Sequence, residues 1–205
     1  MPLTTSLAAH EISCQRGGRL LFAGLNFALA PGESLLVTGP NGAGKTSLLR
    51  MIAGLLPLRA GRIESGDRSV PLPELCHYVG HLNGIKSALT LRENLDFWVN
   101  FLGGDGADLE GAYQTFGLAE LKQLPAGLLS AGQKRKLALL RLFAAQRPIW
   151  LLDEPSVSLD AASVKMLGKA ISRHLAQGGI AVVASHTPLK LRFTRELALK
   201  REPLQ

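Results

Sequence analysis

Eight consecutive residues, Gly39-Pro40-Asn41-Gly42-Ala43-Gly44-Lys45-Thr46, constrain this chain more than any other stretch. They spell G-x-x-x-x-G-K-[ST] between the apolar run Leu35-Leu36-Val37-Thr38 and a helix-like run from Ser47 to Ala53. Glycines here let backbone N–H groups close on the α and β phosphates of a nucleotide, and the N-terminus of the following helix adds its dipole to the same anion. Gly39, Pro40, Asn41, Gly42, Ala43, Gly44 and Ser47 are therefore read as a phosphate cradle. Lys45 is expected on the β and γ phosphates, and Thr46 on Mg²⁺ through its hydroxyl. Such a loop works where a strand hands over to a helix, which predicts an α/β protein.

The remaining pattern agrees. His10 to Cys14 and Phe22 to Leu29 read as strands about a turn at Arg16-Gly17-Gly18-Arg19, and Ser34 to Thr38 as the buried strand delivering the loop. The helix from Lys45 stops at Gly54, Pro71 to Glu74 is a loop, and His77-Tyr78-Val79 is a short strand. Thr90-Leu91-Arg92-Glu93 forms a capping box, after which Leu91, Leu95, Trp98, Val99 and Leu102 make one apolar stripe ending at Gly103-Gly104. A second helix, about Ala107 to Phe116, completes a small helical insertion at roughly 84–128. Ser130 can cap a helix to about Gln146. Ile149 to Leu152 and Ile180 to Ala184 read as buried strands of a mostly parallel sheet, with a helix from about Ala161 to Gly178 between them.

At 205 residues there is room for one sizeable domain, residues 1–205. Cys14 and Cys76 make no C-x-x-C pair, which fits packing roles in a reducing compartment. Signal-peptide features are missing from the first residues, and no apolar run approaches the ~20 residues that span a bilayer. A net charge of +7 permits contact with anionic lipid, nucleic acid or an acidic partner, and does not choose among them.

Asp153 and Glu154 stand at the C-terminal end of the Ile149 to Leu152 strand, the edge of an α/β sheet where ligands sit. Asp153 is expected to serve Mg²⁺, and Glu154 to orient or deprotonate the water that attacks the γ phosphate. Between loop and carboxylates lies Leu129-Ser130-Ala131-Gly132-Gln133, a helix start with a serine hydroxyl and a small glycine. It resembles the L-S-G-G-Q signature of ATP-binding cassette (ABC) ATPases, with Ala131 at the first glycine. That resemblance implies a P-loop ATPase with an N-terminal antiparallel β part and a small α-helical subdomain. It also implies that Ser130, Gly132 and Gln133 address the ATP held by a second copy. Ser158-Leu159-Asp160 then looks like the D-loop, and His186 like the switch histidine on the γ phosphate. Two positions depart from the general pattern: Arg16 stands where an aromatic stacks on adenine, its guanidinium expected on the base face, and His81 stands where most members have the Q-loop glutamine, expected to orient Mg²⁺-bound water through a ring nitrogen.

The run Tyr78-Val79-Gly80-His81-Leu82-Asn83-Gly84-Ile85-Lys86, with Leu89-Thr90 and Glu93-Asn94-Leu95, is similar to the ATP-binding subunits of the bacterial cytochrome c maturation system. In that family a Gly-His step replaces the glutamine, and the signature reads Leu-Ser-Ala-Gly-Gln. The resemblance implies a homodimer, peripheral on the cytoplasmic side of the inner membrane and docked on integral-membrane subunits around residues 82 to 102. ATP hydrolysis would serve haem export or release of a haem-loaded periplasmic chaperone, with haem handled by the complex and no nucleic acid bound. Another small ABC transporter, or a nucleic-acid-handling ABC ATPase, is the rival reading; the latter usually carries two cassettes or a long coiled coil. Lys190, Arg192, Arg195, Lys200 and Arg201 are expected to form a solvated basic tail.

Overall fold

A computed structural model describes residues 4–106, 108–187, 189 and 191–200. At its centre β3 (Ser34–Thr38) runs parallel to β7 (Ile180–Ala184) and to β8 (Arg195–Ala198), so that Leu35 pairs with Val182 and with Arg195. β6 (Ile149–Asp153) joins β7, and β5 (Cys76–Val79) joins β6, giving the order β5-β6-β7-β3-β8. Every residue of β6 and β7 is buried, as continuous apolar runs require when both faces of a sheet are covered. Alternate residues divide between two cores: Ile149, Leu151 and Val182 face one way, Trp150, Leu152 and Val183 the other.

The first core is closed by α1 (Lys45–Ile52), whose Leu48, Leu49 and Ile52 are fully buried, and by a three-stranded antiparallel sheet. That sheet contains β1 (Leu7–Arg16), β2 (Arg19–Leu29) and β4 (Ala60–Ser65) in the order β2-β1-β4. The second core is closed by α5 (Ala161–Ala176) and α4 (Ala131–Leu140). Between β5 and β6 the chain leaves the sheet for α2 (Leu91–Leu102), α3 (Leu109–Thr115) and two short 3-10 turns. Thr90 and Glu93 make the expected reciprocal cap on α2: Glu93 N donates to the Thr90 hydroxyl at 3.1 Å, and Thr90 N to the Glu93 carboxylate at 2.7 Å.

Four local expectations need correction. Leu72–Leu75 is a 3-10 turn rather than a loop. The helix after Ser130 stops at Leu140 and tightens into a 3-10 turn at Arg141–Phe143, a common way for a helix end to satisfy its last carbonyls. The second insertion helix is shorter than drawn, and Ala107 lies outside the described residues. The basic tail is partly a strand: Arg195 belongs to β8 and pairs with Glu33 at 3.2 Å. Arg192 and Lys200 are exposed, while Lys190 and Arg201 lie outside the described residues. Among the described residues, no helix is long and apolar enough to cross a membrane.

Candidate nucleotide site

The loop between β3 and α1 is shaped by close contact. Gly44 sits at φ 104, and a Cβ there would come within 2.9 Å of the Phe22 ring, so a side chain is both strained and crowded. Gly39, at φ 133, leans on the carbonyl of Leu199 just beyond β8. No side chain caps α1, and its first turn holds no acidic residue, which leaves its N–H groups available to an anion.

Lys45 is 8 % exposed, and its three ammonium protons are spent on Gly39 O at 2.7 Å, Pro40 O at 3.2 Å and His186 Nε2 at 2.8 Å. Burial lowers its pKa, while the Glu154 and Asp153 carboxylates favour its charge. His186 Nε2 also lies 2.9 Å from Asn41 Oδ1. An ammonium only donates, so Nε2 accepts from Lys45; donation to Asn41 belongs to the other tautomer, and the two bonds are alternatives.

Thr46 Oγ1 donates to Asp153 Oδ2 at 2.9 Å, joining the loop to the end of β6. Asp153 is 2 % exposed, and burial raises its pKa against the lowering effect of Thr46. A hydroxyl and a carboxylate side by side are hard oxygen donors suited to Mg²⁺, which usually takes few protein ligands and completes its shell with phosphate oxygens and water.

Glu154 follows at φ 47, a left-handed conformation costing a non-glycine residue on the order of 1–3 kcal/mol. Its main-chain N–H donates to Ala184 O at 2.8 Å, and its Oε2 accepts from His186 N at 3.2 Å. The Ser185 hydroxyl, 3.4 Å from Oε2, gives its single proton to Thr187 O at 2.9 Å. Glu154 Oε1 is buried without a hydrogen-bond partner among the described residues, 3.7 Å from His186 Nε2.

These groups line one cavity of about 380 Å³. Arg16 and Leu21, from the β1–β2 hairpin, line it with the phosphate loop. His81 does not: it is exposed and reaches Asp153 only through its field, which favours the carboxylate. Ser130, Gly132, Gln133 and Asp160 do not line it either. Ser130 caps α4, accepting from Gln133 N at 3.2 Å while Gln133 Oε1 accepts from Ser130 N at 2.8 Å. A Cβ on Gly132 would stand 2.9 Å from Ser158 O. Asp160 caps α5, accepting from Ser163 N at 2.7 Å, and lies 3.6 Å from Lys136 of α4. The start of α4 and the Ser158–Asp160 turn thus form a second surface, separate from the cavity.

Sequence reasoning missed Arg135, whose buried guanidinium reaches the carbonyls of Asp153 and Glu154 at 2.9 Å each. Leu137, Leu140 and Ala144 recur at helical spacing on one face, and Arg135 falls on the other. In the fold α4 is buried on that side too, so the one available signal, an arginine five residues beyond a capping serine, carried no contrast.

Residues 22–157 match the family described as ABC transporter. The chain belongs to the ABC transporter family. Within it, the cytochrome c biogenesis ATP-binding export protein CcmA of Chelativorans sp. (strain BNC1) is 48% identical over 94% of this chain and 97% of its own. Its namesake in Bradyrhizobium diazoefficiens is 49% identical with the same coverage. This ABC protein is thus a member of the CcmA family of export proteins. An ATP-binding ABC transporter protein from Pyrococcus furiosus superposes with a TM-score of 0.82 over 95% of this chain and 97% of that one, at 22% identity, and shares the fold.

Proposed function

We propose that this ABC protein is the ATP-hydrolysing subunit of an export complex for cytochrome c biogenesis. The observation that carries the hydrolytic part is Glu154 Oε1, a buried carboxylate oxygen with no donor, beside Lys45, Thr46 and Asp153 in one cavity. Membership of a family whose relatives are named as export proteins of cytochrome c biogenesis supports the cargo class.

ATP would enter with its phosphates on the Gly39 to Ser47 loop, where Lys45 exchanges Gly39 O, Pro40 O and His186 for β and γ oxygens. Arg16 offers a flat guanidinium to the base. Mg²⁺, held by Thr46 and Asp153, would neutralise phosphate charge as it shifts to the leaving group. Glu154 Oε1 takes the proton of the attacking water, and His186 turns from Lys45 to the γ phosphate.

Ser130, Gly132, Gln133 and Asp160 lie outside the cavity, which supports a homodimer in which each copy completes the site of the other. Leu82, Phe97 and Phe101 are 79 %, 45 % and 68 % exposed, and Phe97, Trp98 and Phe101 pack ring to ring at 5.4 to 5.8 Å. Such a patch suits integral-membrane subunits at the cytoplasmic face of the inner membrane. Hydrolysis there would drive haem export or release of a haem-loaded periplasmic chaperone.

The test is haem staining of c-type cytochromes in cells whose only copy carries Lys45→Ala or Glu154→Gln, with expression checked. Loss of mature cytochromes while the membrane subunits persist is the expected result. Normal cytochromes would leave an ABC ATPase and remove the cytochrome assignment.

A further inference from the structure

Arg135 is 4 % exposed, yet no carboxylate stands among its hydrogen-bond partners. Its five N–H donors are all used: Nη2 donates to Asp153 O and Glu154 O at 2.9 Å each, Nε to Pro155 O at 3.2 Å, and Nη1 to Gly80 O at 2.9 Å and Asn83 Oδ1 at 3.1 Å. Three of these acceptors are consecutive carbonyls, and they bracket the residue that sits at φ 47. A left-handed glutamate persists only where its surroundings over-determine it, and Arg135 supplies that constraint from a helix distant in sequence. The planar fork suits the task; a lysine ammonium has three donors and no fixed plane.

We propose that Arg135 is a positioning residue, whose guanidinium holds the main chain of Glu154 so that Oε1 stays in the cavity, and ties that placement to α4. The proposal rests on the reading of Glu154 as the base. The geometry adds a direction to it. Ser130 begins α4 at the surface a second copy would touch, and five residues on the same helix grips the carbonyl of the glutamate. Gly80 and Asn83, on either side of His81 and Leu82, hang from the same side chain. Any tilt of α4 therefore moves the glutamate and the His81 segment together.

The assembled complex with its membrane subunits is compared as wild type, Arg135→Gln, Arg135→Lys, Glu154→Gln and the Arg135→Gln/Glu154→Gln double variant. Arg135→Gln should lower kcat on the order of 100-fold, the scale of a carboxylate misplaced by about an ångström, with ATP affinity and KM unchanged. Arg135→Lys should recover part of the loss. In the Glu154→Gln background the Arg135 change should cost nothing further, because groups that act as one unit are not additive. Wild-type kcat in Arg135→Gln overturns the proposal. So does an equal loss in both backgrounds, a KM that rises in parallel, or failure of both Arg135 variants to assemble, each of which is the mark of a merely structural residue. Full turnover in Glu154→Gln alone would instead remove the base assignment beneath it.

Discussion

Glu154 combines two unfavourable features: a backbone angle that disfavours any side chain with a Cβ, and a buried oxygen left without a donor. Neither helps the fold, and both make sense if the oxygen has a proton to collect. Glu154→Gln keeps the shape and removes the proposed base. With saturating ATP and Mg²⁺ it should accumulate as a closed dimer, eluting at twice the protomer mass in size-exclusion chromatography; a monomer under those conditions would count against the two-copy site. At this scale the sequence was informative where spacing carries chemistry. Lys45, Thr46, Asp153, Glu154 and His186 were readable because strand ends and the phosphate loop fix their type and position, and the fold brings all five together. Arg135 was not readable, since its role lies in main-chain carbonyls, which every residue has. The Asn41–His186 contact was hidden for a similar reason: it joins residues whose proximity depends on the order of the strands.

The helices α2 and α4 begin alike, with reciprocal capping boxes at Thr90 and Ser130. Each hydroxyl satisfies one otherwise orphaned N–H, so Thr90→Ala and Ser130→Ala should each cost about 1 kcal/mol. Urea denaturation should show similar shifts in midpoint for both, whereas ATPase turnover should fall for Ser130→Ala alone, because in the proposed two-copy site only α4 meets the second copy's nucleotide. Equal turnover in the two variants would detach Ser130 from the reaction. Element prediction succeeded where burial dictates pattern. β3 and β7 were drawn with their observed limits, being apolar runs closed off by turns. β4 (Ala-Gly-Arg-Ile-Glu-Ser) and β8 (Arg-Glu-Leu-Ala) escaped notice because they are short, half exposed and charged. What makes them strands is a neighbour offering hydrogen bonds, and a neighbour is not written in the local sequence.

At the scale of the whole molecule, two histidines among the described residues are buried. His77 Nε2 donates to Ala145 O at 2.8 Å; His174 Nε2 lies 3.1 Å from Pro148 O, and its ring stacks on Trp150 at 4.0 Å. Burial pushes their pKa values down to about 3 and about 4, and the charges of Arg147 and Arg141 act in the same direction on His77. Unfolded histidine titrates near 6.5, so below that pH the unfolded chain binds protons that the fold refuses. The stability they allow is complete above about pH 6.5 and is lost as pH falls toward 4, by up to about 1.4 kcal/mol per pH unit for each ring. Denaturation midpoints at pH 7, 6 and 5 should fall accordingly, and His77→Gln should flatten the slope by about one proton's share. A slope unchanged by that substitution would deny His77 its part.

The strand that carries the phosphate loop also sets a schedule. β3 is made early, but its neighbours are β7 and β8, so Leu35 waits for Val182 and Arg195 before either edge is paired. At ~5–20 residues per second, a ribosome takes on the order of ten seconds to supply them. Through that interval an apolar strand and a glycine-rich loop hang from the nascent chain without the sheet that shapes them. The phosphate loop of the growing polypeptide therefore lacks both strands that flank β3 until β7 and β8 have emerged.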